Sequence, residues 1–141
     1  MQAPPAEFPE CQFDASWHAD DSLSGHGWVL VRHDAVLHMG LKSDRRSLSP
    51  LHAEFDSLLW AMECLISIGE TSGVFASNCS NLITILDNQD DWPIFAAELA
   101  SYRSLVCFFS SFSIRFFPRS LNTRAHYLAK KARARNCLFS M

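Results

Sequence analysis

Hydrophobic and polar positions change rhythm several times along the chain, and each change marks an element. Cys11–Trp17, Gly27–Arg32 and Ala35–Leu41 are short segments rich in β-branched, aromatic or aliphatic residues, separated by Gly, Ser, Asp and His. They predict three strands of an antiparallel meander. From Ser49 the period lengthens. Leu51, Phe55, Leu58, Leu59, Met62, Leu65 and Ile66 recur at three- and four-residue spacing, which is the apolar stripe of a helix facing a core. Ser49 is its candidate N-cap and Pro50 its first residue, where the missing N–H costs nothing. The helix is expected to run to about Ile68 and to stop at Gly69.

The second half reads as a strand at Gly73–Ser77, a helix from about Ser80 to Asp87, and a further helix after Trp92-Pro93 that reaches to around Phe109. Ser113–Phe117 alternates as a strand that Pro118 ends, and a basic helix is expected from Leu121 to near Asn136. Three strands, a helix, a strand, helices, a strand and a final helix imply an α/β domain, a mixed five-stranded sheet with helices packed against it. Residues 1–10 hold three of the six prolines and show no periodicity, so they read as an extended lead-in or linker. The domain is assigned to 11–136 and a short tail to 137–141, with no internal repeat or low-complexity segment.

Composition narrows the class. With 48 % hydrophobic residues, eleven Phe, four Trp and 19 % charged residues, the chain is that of a packed globular domain rather than a disordered or coiled-coil one. No apolar run approaches the roughly 18 residues needed to cross a bilayer, and the first residues lack the features of a secretory signal. A soluble, intracellular protein is expected, with nucleus and cytoplasm not distinguished. Cys11, Cys64, Cys79, Cys107 and Cys137 are odd in number and lack CxxC spacing; buried or idle thiols fit better than disulfides or a zinc site.

The net charge of −3 hides an asymmetry. All fifteen Asp and Glu lie at or before Glu98, so residues 1–114, with five Lys and Arg, carry −10, while 115–141 hold the other seven cations and no acid. A basic terminal helix can present an anion-binding face on an acidic protein or be simply a solvated cationic surface.

More specific are five motifs in order: CQFDASW around Asp14, GWVLVR, SPLHAE with Glu54, FASNC with Asn78, and FFPRSLNTRAHYLAKKAR with His126. In this order and spacing the chain, from Cys11 to Arg135, resembles the ribonuclease-H-like domains of many plant proteins and retroelement-derived chains, members of the RNase H superfamily. The resemblance implies an RNase-H-like sheet and two-metal hydrolysis of the RNA strand of an RNA–DNA hybrid, with Mg2+ or Mn2+ as cofactor. Two divalent ions about 3.5–4 Å apart can activate a water and stabilise the leaving oxygen, provided that several hard anionic oxygens hold them.

By the same resemblance Asp14 and Glu54 match the first two of four catalytic carboxylates and would be metal ligands. The third falls on Asn78 and the fourth on His126, so both depart from the pattern. An amide keeps a carbonyl oxygen but no charge, and imidazole suits manganese or zinc better than magnesium. Metal is therefore expected to bind weakly if at all. Read without the family, Asp14 is a carboxylate in an apolar strand that needs a partner, Glu54 a helix-surface acid, Asn78 an N-cap for the helix at Ser80, and His126 a helix-start residue bonded to backbone. His18, His26, His33, His38 and His52 show no metal-ligand spacing and read as exposed or core-edge residues.

Arg119, Asn122, Arg124 and Lys130 are the candidate nucleic-acid contacts, on a cationic edge that also holds Arg115, Lys131, Arg133 and Arg135. Such an edge supplies backbone affinity, which suits RNA–DNA hybrid or RNA better than sequence-specific DNA, and no helix-turn-helix, zinc finger or RNP motif is present. Three readings stand: a metal-dependent hybrid ribonuclease with a degenerate site, a non-catalytic module that holds nucleic acid or a protein, and a retroelement-derived remnant.

Overall fold

The computed structural model describes residues 8–135 and the backbone of 138–140. The lead-in over 1–7, Asn136, Cys137 and Met141 lie outside the described residues. In chain order the elements are β1 (Glu10–Ser16), β2 (Leu23–Arg32), β3 (Ala35–Arg45), α1 (Pro50–Ser67), β4 (Ser72–Ser77), α2 (Ser80–Asp87), α3 (Ala96–Val106), β5 (Ser111–Phe116), α4 (Thr123–Arg135) and β6 (Leu138–Ser140). The sheet order is β5-β4-β1-β2-β3-β6. Strands β1, β2 and β3 form an antiparallel meander, while β4 runs parallel to β1 and β5 parallel to β4. The mixed five-stranded sheet is thus present as expected, and β6 adds a sixth short strand antiparallel to β3, in the segment read as a tail.

Helix α1 begins as its sequence dictates. Ser49 caps it by accepting from the His52 amide, Pro50 opens it, and Gly69 ends it at φ +86°, a left-handed conformation that glycine adopts without a Cβ penalty. The helix after Trp92 is shorter than its pattern suggested. Pro93–Phe95 forms a single 3-10 turn before α3, which ends at Val106.

Two strands are longer than expected: β3 runs past Leu41 to Arg45, and β2 starts at Leu23 rather than Gly27. Ser24, Gly25 and His26 read as separators, yet all three are buried strand residues, as is Gly27. The cause is that β2 is central and covered on both faces. Trp28 and Leu30 enter the main core with Phe13, Phe55, Leu58, Met62 and Phe75 on the α1 side, while Val29 and Val31 meet Leu128 and Ala132 of α4 on the other. By two-residue alternation Gly25 and Gly27 share the α4 face. They form a floor on which α4 lies close: a Cβ on Gly25 would overlap the Ala129 carbonyl oxygen and lie 2.6 Å from the Arg133 nitrogen, and one on Gly27 would lie 2.6 Å from the Ala125 oxygen.

Two histidines depart from the expected surface or core-edge positions. His26 is buried on the α1 face, with Nδ1 2.6 Å from Ser57 Oγ. Burial, and then the nearby Lys42 charge, lower it to about 4. His52 is buried too, bonded to Ser49 Oγ at 2.7 Å and packed on Phe95 at 4.4 Å between ring centroids. Among the described residues no helix is long and apolar enough to cross a membrane, and the described cysteines are free thiols.

Two outcomes follow from this packing. Gly25→Ala meets backbone on α4 that cannot rotate away, so it should destabilise the fold by about 3 kcal/mol or more, read as a lower urea midpoint. His26 stays neutral in the fold down to about pH 4, whereas the unfolded chain protonates it near 6.5. Stability is therefore lost as pH falls through that window, by about 3 kcal/mol in total. Urea midpoints for His26→Gln should fall less than the natural chain's between pH 7 and pH 4.

Candidate active site and nucleic-acid face

The C-terminal end of β1, where it lies between β2 and β4, meets the first turns of α1 and α4. Open α/β sheets place ligands outside such strand ends. Here a cleft of about 360 Å³ is lined by Trp17, Glu54, Cys79, Arg119 and His126, among others.

Asp14 is the pivot. Phe13 points into the α1-side core, so alternation sends Asp14 to the α4 face, opposite Gly27 in the register. The glycine floor brings α4 down at that point, and His126 Nδ1 lies 2.8 Å from Asp14 Oδ2. A carboxylate only accepts, so Nδ1 carries the hydrogen and donates. Asp14 is 3 % exposed against 29 % for His126, so the bond shields one partner almost completely. Arg119, in the 3-10 turn Arg119–Leu121 before α4, places Nη2 3.0 Å from His126 Nε2 and 3.2 Å from Nδ1. Being nearly equidistant from both nitrogens, the guanidinium lies against the ring rather than on one atom.

Glu54 reaches the same point from α1, where its Oε1 accepts from the Ala15 amide at 3.2 Å. Its Oε2 is buried without a hydrogen-bond partner. Burial first, and then the Asp14 carboxylate beside it, push Glu54 well above the usual carboxylate range. The Cys79 thiol is also raised, chiefly by burial.

Asn78 is not the N-cap of α2. That place is taken by Cys79, without a side-chain capping bond. Asn78 Oδ1 instead accepts from Asn122 Nδ2 at 2.7 Å, and the same Nδ2 donates to the Phe13 carbonyl at 2.9 Å. Asn122 is therefore fully buried, a latch between the start of α4 and the ends of β1 and β4, and not the surface phosphate contact that its place in a basic segment suggested. A polar residue at a helix start gives the same local signal in either role; only long-range contacts decide. His126 likewise turns its side chain to Asp14 rather than to backbone, although its amide reaches the Asn122 carbonyl at 3.4 Å.

Of the other cations in this segment, Arg115, Arg124, Lys130 and Arg135 are exposed, and Lys131 and Arg133 are half-buried. Arg124 pairs with Asp34 at 3.2 Å, bracing the β2–β3 turn, and Arg115 is committed to Glu10 at 2.7 Å. Lys130 lines a shallow groove along α4 with Tyr127, Lys131 and Arg135, and His126 lines both this groove and the cleft. Trp17 and Cys79 were not singled out from sequence. Their signal was adjacency, Trp17 three residues after Asp14 and Cys79 beside Asn78.

The donors do not fit a two-metal centre. Among the described residues no group of three or more His, Cys, Asp or Glu side chains is placed to hold a metal ion. Asp14 Oδ2 and Asn78 Oδ1 are already engaged by protein donors.

The fold defines an RNase H-like domain. Residues 12–132 match the family model described as reverse transcriptase-like, and the chain belongs to that family. Among solved structures it is similar to RNase H1 from the halophilic archaeon Halobacterium salinarum, with 26 % identity, a TM-score of 0.78, and 88 % of this chain and 96 % of that chain covered. It is similar in fold to LC11-RNase H1 in complex with an RNA/DNA hybrid, with 18 % identity, a TM-score of 0.73, and 89 % and 96 % covered. The foamy viral protease-reverse transcriptase in complex with dsDNA gives 14 % identity, a TM-score of 0.67, and 93 % and 95 % covered. No curated protein matches in sequence.

Because Glu54 keeps its proton in the fold to a higher pH than in the unfolded chain, its burial weakens the fold progressively as pH rises above the ordinary carboxylate value. Glu54→Gln keeps an acceptor for Ala15 and removes the ionisable group. It should raise the melting temperature at pH 7, and the gain over the natural chain should shrink at pH 4.

Proposed function

We propose that this domain binds the backbone of RNA–DNA hybrid or RNA along the groove of α4 and into the cleft, with its hydrolytic chemistry impaired. The observation that carries the reading is the bond between His126 and Asp14. It stands where the RNase H resemblance calls for a fourth carboxylate, and it turns a metal-ligand position into an internal hydrogen bond. Asp14 and Glu54 would be the surviving ligands of Mg2+ or Mn2+, and two carboxylates are too few to hold two dications.

Retained binding is supported by the layout of the cations. Arg119 at the cleft and Lys130 in the groove are exposed, with Arg124 on the same helix. The neighbours in complex with RNA/DNA hybrid and with dsDNA share this fold. A run of cations spaced along a helix suits successive phosphates, whose neutralisation releases counterions and makes affinity salt-dependent. Shape and the 2′-hydroxyl would then separate RNA-containing duplexes from DNA.

Two assays test the proposal. The natural chain should bind a labelled RNA–DNA hybrid with an affinity that falls steeply with salt. Lys130→Ala should flatten the logarithmic salt slope by about one, the value for one lost phosphate contact. In Mg2+ and separately in Mn2+ the natural chain should leave the hybrid intact, and Asn78→Asp with His126→Asp should restore cleavage. Turnover by the natural chain that Asp14→Asn abolishes would make it a working ribonuclease and overturn the impaired reading. Absence of hybrid affinity would leave a retroelement-derived remnant as the better account.

A further inference from the structure

We infer that His126 and Arg119 take over the structural task that divalent ions perform in a two-metal site, so that the buried carboxylates of this chain are held without metal. The inference rests on the reading of the cleft as a two-metal site altered at Asn78 and His126, and deepens it from a loss of ligands to a replacement of the ions.

Most of the oxygens and nitrogens that would face an ion at this point are already engaged. Asp14 Oδ2 is committed to His126 Nδ1 at 2.8 Å, and the nitrogen that donates this bond cannot also ligate. The other ring nitrogen, Nε2, has the Arg119 guanidinium 3.0 Å away, so a cation arriving there meets a fixed positive charge. Asn78 Oδ1 is held by Asn122 Nδ2, which is anchored in turn on the Phe13 carbonyl and fully buried. Glu54 Oε1 is on the Ala15 amide. Glu54 Oε2 and Asn122 Oδ1 are buried and unpartnered, and one free carboxylate oxygen with one amide oxygen is a weak hold on a strongly hydrated Mg2+.

Charge follows the same pattern. Buried carboxylates need a compensating donor or cation. Arg119 lines the cleft with Glu54 and His126, so the compensation comes from this chain and is present at all metal concentrations. The exchange of a carboxylate for His126 and the seating of Arg119 on its ring are one device: the imidazole bonds Asp14 on one side and packs against the guanidinium on the other.

Direct metal binding provides the test, without reference to activity. Mn2+ uptake is followed by electron paramagnetic resonance, and the melting temperature is followed through a Mg2+ titration that starts in chelator. The full natural chain should show no saturable Mn2+ uptake and no movement of its melting temperature with Mg2+. Asn78→Asp with His126→Asp should take up Mn2+, melt below the natural chain in chelator, and recover as Mg2+ is added, because a ligand that binds only the folded state raises its stability. Saturable Mn2+ uptake by the natural chain that Asp14→Asn removes would overturn the inference. So would a folded double variant that still takes up no Mn2+, since His126 and Asn78 would then not be what excludes the ion. If the double variant fails to fold even in Mg2+, His126→Asp alone decides by the same two outcomes. Neither measurement reads hybrid binding. Metal silence without hybrid affinity therefore overturns the functional reading and leaves this one, while Mn2+ uptake with hybrid affinity does the reverse.

Discussion

The close approach of α4 to the glycine floor of β2 is the constraint on which the rest of the molecule depends. Gly25 and Gly27 carry no Cβ, so the backbone of α4 lies directly against the strand at Ala125 and Ala129. Asp14 is the register partner of Gly27, and His126 follows Ala125. The same contact that seals the second core layer, with Val29, Val31, Leu128 and Ala132, therefore brings the first helical turn onto a buried carboxylate. A helix held away by even one methyl group could not set an imidazole 2.8 Å from Asp14.

Around that contact the site is braced by polar groups that would be liabilities alone. Asn122 crosses from α4 to the Phe13 carbonyl and to Asn78, tying the ends of β1 and β4 to the helix that covers them. Glu54 approaches from the opposite layer and is held by the Ala15 amide. Glu54 is raised by its burial first and by the Asp14 carboxylate second, and both oppose its ionisation in the fold. In a site shaped for dications that opposition is relieved by bound charge. Here His126 bonds Asp14, Arg119 lines the cleft with Glu54, and the fold around them is similar to that of RNase H1.

The cationic surface is built differently. Arg115 braces Glu10 at the start of β1 and Arg124 braces Asp34 in the β2–β3 turn, and Arg133 bonds Ser16 at 2.7 Å and pairs with Asp21. The basic segment is therefore divided between structural cations and an exposed set at Arg119, Lys130 and Arg135. Charge counting along the chain gives the sign of this face, while pairing decides which of its members face a ligand.

What the sequence determined by itself was whatever local pattern encodes. The capped start of α1 at Ser49-Pro50 and its end at Gly69, the boundaries of α2 and the strand around Asp14 all follow from neighbours in the chain. Residues 23–26 of β2 were hidden because Gly, Ser and His signal turns when read locally; only burial between two helices makes a glycine pair in a strand a packing surface. Tertiary structure alone decided that Asn122 is a buried latch and not a phosphate contact, that Asn78 serves Asn122 rather than capping a helix, that His26 pairs with Ser57, and that His126 turns to Asp14. In each case the deciding partner is distant in sequence, 31 residues away for His26 and 112 for His126. A polar side chain carries the same local preferences whichever partner the fold brings to it.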